Sequence, residues 1–186
     1  MALLESTPSA FGHVYPSFSL KKPDGQGVSS ASIMGPNGML VAFMCNHCPY
    51  AQALWPRLVR DAAAMTAAGF GMVAINPNIH PDYPEDHPTQ MQALINDWAL
   101  PFPYLVDDDQ SVARMYDAQC TPDFYVLRSD MSLAYRGAYD DCWKDASQVQ
   151  TQYILNTMIH HAQHGHPLYA SATPSIGCSI KWQSVA

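Results

Sequence analysis

The feature that most constrains the fold is a short, continuously apolar run that ends directly at a pair of cysteines. Residues 39–44 read Met-Leu-Val-Ala-Phe-Met, which is typical of a strand buried on both faces of a sheet. Apolar residues then recur at helical spacing through 50–68, and a second apolar run covers 70–75. This order predicts a βαβ unit with a parallel strand pair over residues 39–75. Pro56 lies inside the helical pattern, which predicts a kink or a restart there.

The rest of the chain continues the alternation of strands and helices. We expect a helix after Pro88, a strand at 104–106, a short helix near 112–115, a hairpin of strands 124–127 and 133–135, and a final helix over about 146–162. We expect loops with one or two short strands in residues 1–37, and an irregular tail in residues 165–186. The expected fold is therefore α/β, a central mixed sheet flanked by helices, in one domain spanning 1–186.

Composition excludes several classes of function. Hydrophobic residues make up 48% and charged residues 13% of the chain, which favours a compact domain over disorder. The net charge is -7 with only nine Lys plus Arg, so nucleic-acid binding is not expected. No apolar run is long enough to span a membrane, and the start of the chain lacks a signal-peptide pattern. We expect a cytoplasmic protein, in which most of the five cysteines are reduced.

The motif Cys45-Asn46-His47-Cys48 stands where the first buried strand passes into the first long helix. Helix N-termini stabilise a thiolate, which is the nucleophile in disulfide exchange. A protonated His47 would favour the thiolate further. Pro49 leaves the start of the helix open: if the helix begins next to Cys48, its dipole favours that cysteine as well.

Two other interpretations of the cysteine pair remain open. Two buried structural cysteines can stand two residues apart by chance, and a zinc knuckle uses the same spacing. Zinc needs four ligands, and the sequence has no second Cys-x-x-Cys. We therefore predict no metal at this site.

The sequence resembles the thioredoxin superfamily, and within it the redoxin group related to the alkyl hydroperoxide reductases and thiol-specific antioxidants. The resemblance spans about residues 38–182 and is found in Phe43-Met44-Cys45-Asn46-His47-Cys48-Pro49-Tyr50, Tyr83-Pro84-Glu85-Asp86, Pro101-Phe102-Pro103-Tyr104, Cys120-Thr121-Pro122-Asp123-Phe124 and the segment 174–182.

This resemblance implies a thioredoxin-like fold and a thiol–disulfide oxidoreductase without a cofactor, acting on a protein or a small-molecule thiol or disulfide. Cys45 would be the attacking thiol and Cys48 the resolving thiol. Pro122 would match the cis-proline that packs against the active-site disulfide, and the Thr121 backbone would be free to pair with an extended substrate. A trans proline opening a strand is the alternative interpretation of Pro122.

The resemblance also raises three alternative functions. In the peroxiredoxins the peroxide-reducing cysteine corresponds to Cys48, with a threonine at the position of Cys45 and an arginine near Pro122. This sequence departs from both expectations, which favours exchange over peroxide reduction. A copper-binding protein would space its cysteines more widely and add a distant histidine, and a non-catalytic interaction domain would leave the cysteine pair unreactive.

The remaining cysteines are candidates for smaller roles. Cys120 and Cys178 are possible extra redox thiols, with Cys178 able to reach back from the tail. Their alternatives are a buried free cysteine and a tail that merely wraps the domain. Cys142 has no predicted role.

Overall fold

The computed structural model describes residues 2–169 and 171–183. Its strands are β1 Leu3–Glu5, β2 Ser19–Lys21, β3 Gly27–Ser29, β4 Gly38–Phe43, β5 Phe70–Asn76, β6 Tyr104–Val106, β7 Cys120–Thr121, β8 Asp123–Arg128, β9 Leu133–Gly137 and β10 Ile176–Ser179. Its helices are α1 Ser30–Ile33, α2 Pro49–Ala67, α3 Pro88–Asp97, α4 Ser111–Met115 and α5 Tyr153–His164, with 3-10 turns at Pro84–Asp86 and Ala146–Gln148. None of the helices in the described ranges has the length and apolarity to cross a membrane.

A central mixed sheet confirms the expected α/β architecture. β4 lies antiparallel to β8 along its whole length, and β8 forms the predicted hairpin with β9. β5 pairs in parallel with β6, and β2 pairs antiparallel with both β6 and β3. β4 and β5 meet where the Met44 N–H donates to the Ile75 carbonyl at 2.9 Å. The strand, helix and strand predicted over residues 39–75 are β4, α2 and β5, and α2 runs through Pro56 without a restart.

The apolar run in β4 separates two cores. Successive side chains of a strand point to opposite faces, so Leu40 and Ala42 pack in the core that contains α2 and α5. Met39, Val41 and Phe43 pack in the other core, which contains α4. Every residue of β4 is buried, because both faces of the strand are covered. This is why its sequence shows no polar alternation.

The predicted irregular tail is wrong for one segment. β10 pairs antiparallel with β7, with Cys178 opposite Thr121, and β1 pairs along the other side of β10. Gly177 permits this close approach, since a Cβ there would lie 2.2 Å from the Thr121 carbonyl oxygen. The strand is short and contains this glycine, so its local pattern does not indicate a strand. Residues 170 and 184–186 of the predicted tail lie outside the described residues.

The predicted start of the final helix is also wrong. Residues 146–148 form a 3-10 turn, and α5 begins only at Tyr153. The intervening backbone bonds to Asp141 instead: the Gln150 N–H donates to its carboxylate at 3.0 Å, and the Asp141 N–H donates to the Thr151 carbonyl at 3.1 Å. These bonds hold the chain extended where the apolar pattern alone favours a helix.

Candidate active site

Cys45 and Cys48 lie at the junction between β4 and α2. Cys48 is the N-cap residue of α2, and Pro49 occupies the first helical position, where its missing N–H costs nothing. The partial positive charge and free N–H groups of the helix start therefore act on Cys48. This is the alternative that Pro49 left open in the sequence.

Cys48 is fully buried and has sulfur and backbone partners. Its Sγ lies 2.7 Å from the Cys178 Sγ and 3.2 Å from the Thr121 carbonyl oxygen. The side chain of Cys45 donates to it, and this bond, with further donation from Cys178 and from the Ala51 backbone, lowers the pKa of Cys48 to about 5. Burial acts in the opposite direction and is outweighed. These surroundings therefore favour the thiolate form of Cys48 at neutral pH.

Cys45 has the opposite ionisation. Burial raises the pKa of its thiol well above the usual range, and donation to Cys48 and the nearby charge of Asp86 raise it further. Its Sγ lies 3.0 Å from the Thr121 Oγ1. The resemblance implied Cys45 as the attacking thiol, but these surroundings favour Cys48 as the nucleophile and keep Cys45 protonated.

The last residue of β7, Thr121, contacts both thiols. The peptide bond between Thr121 and Pro122 is cis, as the resemblance implied. Thr121 is fully buried and contacts Cys45 with its hydroxyl and Cys48 with its carbonyl. Its backbone was expected to be free for an extended substrate, and this is wrong, because β10 already pairs with it.

The hydrogen-bond partner of His47 is a carboxylate. Its Nδ1 contacts the Asp86 carboxylate, which is fully buried and also accepts from the Asn46 N–H at 2.6 Å and from the Asn76 side chain at 3.2 Å. The His47 ring packs 4.7 Å from that of Tyr83. Asp86 thus fixes the loop between the two cysteines.

Sequence reasoning missed Asp86. The motif around it contributed to the resemblance, but no chemistry was assigned to its loop. The available signal was a carboxylate in a proline-rich loop that follows β5, on the same side of the sheet as the motif that follows β4.

One cluster in the described residues has the donors to bind a metal ion. It combines Cys45, His47 and Asp86, whose donor atoms lie within 4.8 Å of one another. The donors fit a metal poorly as they stand, because a thiol must lose its proton to bind and the surroundings of Cys45 oppose that loss.

In the described part of the chain, Cys120 and Cys142 form no hydrogen bond with another thiol. Cys120 is buried, and its Sγ lies 3.5 Å from the Pro122 carbonyl oxygen. Burial and the neighbouring Asp123 raise the pKa of Cys120 well above the usual range. Cys142 is half-buried, and its carbonyl accepts from Arg57 at 2.8 Å. The structure therefore brings Cys178 to the candidate site but leaves Cys120 without a thiol contact.

The buried arginine nearest in sequence to the cis-proline is bound to carboxylate and carbonyl groups. Arg136 is buried and bonds to the Asp123 carboxylate at 3.0 Å and to the Asp117 carbonyl at 2.7 Å. Among the described residues, no arginine side chain forms a hydrogen bond with the sulfur of Cys45, Cys48 or Cys178.

A cysteine pair at the junction of strand and helix, facing a cis-proline on a mixed sheet, defines a thioredoxin-like protein. The chain belongs to the AhpC/TSA family, which residues 11–136 match, and this confirms the resemblance seen in the motifs. That match ends before β10 and Cys178.

Several solved structures share the fold of this chain. An uncharacterized conserved protein from Geobacillus kaustophilus is 37% identical, covers 100% of this chain and 99% of its own, and has a TM-score of 0.92. A hypothetical protein from Sinorhizobium meliloti is 31% identical over 97% of this chain and 99% of its own, with a TM-score of 0.89. A secreted Mycobacterium tuberculosis disulfide oxidoreductase homologous to E. coli DsbE shares the fold, at 23% identity over 62% and 79% of the two chains and a TM-score of 0.52. No curated protein matches the chain.

Proposed function

We propose that this protein is a thiol–disulfide oxidoreductase that works through Cys45 and Cys48, with Cys48 as the attacking thiolate. The observation that supports this most is the position of Cys48 at the N-cap of α2, where a thiol donor and backbone N–H groups stabilise its negative charge. A thiolate is the species that attacks disulfides.

The reaction has two exchange steps. The Cys48 thiolate attacks one sulfur of the substrate disulfide, so that a mixed disulfide forms and the other substrate sulfur leaves as a thiolate and takes up a proton. The Cys45 thiol then loses its proton and attacks the Cys48 Sγ, which closes the Cys45–Cys48 disulfide and releases the second substrate thiolate. Two electrons pass from the protein to the substrate, and the reverse sequence oxidises a dithiol.

The neighbouring residues would serve this exchange by position. The Thr121 hydroxyl, 3.0 Å from the Cys45 Sγ, is placed to stabilise that thiolate as its proton leaves. Pro122 offers no N–H that would compete for the sulfurs. His47 would act through its contact with Asp86, which holds the loop of the motif in place.

A cavity of about 150 Å³ beside Pro122 suits an apolar part of the substrate. Its lining combines apolar and aromatic side chains from several elements, including Leu54, Phe124, Trp143 and Ile176. Such a lining fits a protein side chain or the body of a small organic disulfide better than a free inorganic ion.

A glutathione redox titration of the purified protein tests the proposal. Thiols are trapped at each step, and peptide mass spectrometry assigns each disulfide. We expect a reversible two-electron couple that includes a Cys45–Cys48 disulfide, lost in Cys48→Ser and retained in the control Cys142→Ser, whose thiol lies outside the cluster. If Cys45 and Cys48 both remain reduced under every glutathione ratio, the proposed function is wrong.

Peroxide reduction is the second candidate, because the lowered pKa of Cys48 would also activate it toward a peroxide. No arginine side chain within the described residues forms a hydrogen bond with the sulfur of Cys45, Cys48 or Cys178, which argues against it. Treating Cys45→Ser/Cys178→Ser with substoichiometric hydrogen peroxide and a dimedone probe separates the two reactions, because no neighbouring thiol then consumes a sulfenic acid at Cys48. Capture of that sulfenic acid supports peroxide reduction, and its absence supports exchange alone.

A further inference from the structure

β10 occupies the place that an extended disulfide substrate would take. The edge of β7 next to the cis-proline is where a substrate backbone would pair, and here the chain's own strand pairs with it. The register sets Cys178 directly opposite Thr121, the residue whose hydroxyl and carbonyl contact the other two thiols. The strand thus presents a cysteine to the nucleophile in the manner of a bound peptide.

The contact between Cys178 and Cys48 suits disulfide formation. Their Sγ atoms are 2.7 Å apart, while a disulfide bond is about 2.05 Å long, so closing the bond needs an approach of well under 1 Å. Cys178 is only 4% exposed, and both sulfurs are held by elements of the fold. Cys120 precedes Thr121 on β7, yet its sulfur contacts the Pro122 carbonyl and forms no hydrogen bond with Cys48 or Cys178.

We propose that β10 is a tethered redox partner of the site and that Cys178 forms a reversible disulfide with Cys48, as a second resolving thiol beside Cys45. This inference rests on the proposed function, because it needs Cys48 to be the attacking thiolate. It assigns a role to a residue that lies beyond the family match over residues 11–136.

The reaction of Cys178 balances in the same way as that of Cys45. After Cys48 has attacked a disulfide and one substrate thiolate has left, the Cys178 thiol loses its proton and attacks the Cys48 Sγ. The Cys48–Cys178 disulfide forms, and the second substrate sulfur leaves as a thiolate that is protonated in solvent. The substrate disulfide gains two electrons, and the two protein thiols lose them.

A thiol on β10 would also shorten the lifetime of a mixed disulfide at Cys48. A mixed disulfide at Cys48 would be attacked from two sides, by Cys45 from the loop of the motif and by Cys178 from β10. Attack within the chain benefits from an effective concentration that an external thiol does not reach. The mixed disulfide is therefore short-lived even when Cys45 is absent.

The test follows the mixed disulfide in variants that isolate each thiol. Oxidised glutathione is added to the wild type, Cys45→Ser, Cys45→Ser/Cys178→Ser and the control Cys45→Ser/Cys142→Ser. Samples are acid-quenched over time and mapped by mass spectrometry. We expect the glutathione adduct on Cys48 to decay into a Cys48–Cys178 disulfide in Cys45→Ser and in its control. The adduct should persist at least about tenfold longer in Cys45→Ser/Cys178→Ser.

The outcomes separate this inference from the proposed function. If Cys48 accepts glutathione but Cys178 stays a free thiol in both the wild type and Cys45→Ser, the tethered partner is refuted and the exchange function stands. If Cys48 accepts no glutathione in Cys45→Ser/Cys178→Ser while circular dichroism shows that variant to be folded, both ideas fail. If Cys45→Ser does not fold, the wild-type map alone decides: a Cys48–Cys178 disulfide at any time point supports the tethered partner, and a Cys178 that stays free throughout refutes it.

Discussion

The ionisation of Cys48 gives the sharpest test of the site. A thiol with a pKa of about 5 is about 99% ionised at pH 7 and about half ionised at pH 5, so its reactivity falls about twofold over that range. An unperturbed cysteine, with a pKa of about 8.5, loses about 100-fold over the same range because its thiolate fraction falls tenfold with each pH unit. The fall in reactivity from pH 7 to pH 5 is therefore about 50-fold smaller for Cys48 than for an unperturbed cysteine.

Alkylation by iodoacetamide, measured on the Cys48 peptide by mass spectrometry, gives this ratio. Cys48 is fully buried, so the reagent reaches it only after a local opening. An opening equilibrium that does not depend on pH multiplies every rate equally and leaves the ratio unchanged. The half-buried Cys142 in the same digest provides an internal reference for reagent decay with pH.

A pair of substitutions at Cys45 checks the cause of the shift. Donation from the Cys45 side chain is the largest influence that lowers the pKa of Cys48. We expect Cys45→Ala to move the alkylation midpoint upward, and Cys45→Ser, which retains a hydroxyl donor, to move it less. If the wild-type rate falls about 100-fold from pH 7 to pH 5, or if the two variants titrate alike, the argument that makes Cys48 the thiolate is wrong.

Three further outcomes follow from the packing and charges. Gly177→Ala should destabilise the fold by about 1–3 kcal/mol, since the added Cβ would meet the backbone of β7, whereas Gly27→Ala, with open space around it, should change the melting temperature little. Arg136→Met should cost about 3–5 kcal/mol in urea unfolding, because it leaves the buried Asp123 carboxylate without its cation. The wild type should be more stable than Cys48→Ser above pH 8.5 and lose that advantage as the pH falls to about 5, because the folded pKa of Cys48 is depressed.

Each of these has a result that would count against it. Equal melting temperatures for the two glycine variants would mean that β10 tolerates a side chain against β7. An Arg136→Met variant as stable as the wild type would show that the ion pair with Asp123 contributes no net free energy. A stability difference between the wild type and Cys48→Ser that does not vary with pH would contradict the depressed pKa.

Much of the scaffold could be predicted because its signals are local. The apolar run before Cys45 predicts β4, the helical spacing after it predicts α2, and the separation of two apolar segments predicts the β8–β9 hairpin. These elements bury many of their side chains, and the spacing of their apolar residues shows which positions are buried. The cysteine motif falls at their junction, which is why the location of the site could be predicted along with the fold.

The rest depends on partners that are distant in the chain. β10 exists because it pairs with β7, some 57 residues earlier in register (Cys178 opposite Thr121). Asp86 is recognisable as part of the site only once its buried contacts with Asn46 and His47 are visible. The different pKa values of Cys45 and Cys48 likewise depend on where the helix starts and on which donors surround each sulfur. The four residues of the motif do not specify either.

The pairing of β1 with β10 links the first residues of the described structure to Cys178. β10 is held on one side by β7 and on the other by Leu3–Glu5, which are exposed and come from the opposite end of the chain. β1 therefore pairs directly with the strand that carries Cys178, with Leu3 opposite Cys178. We therefore expect a deletion or a proteolytic cut within residues 3–5 to loosen β10 and to change the reactivity of the Cys178 thiol.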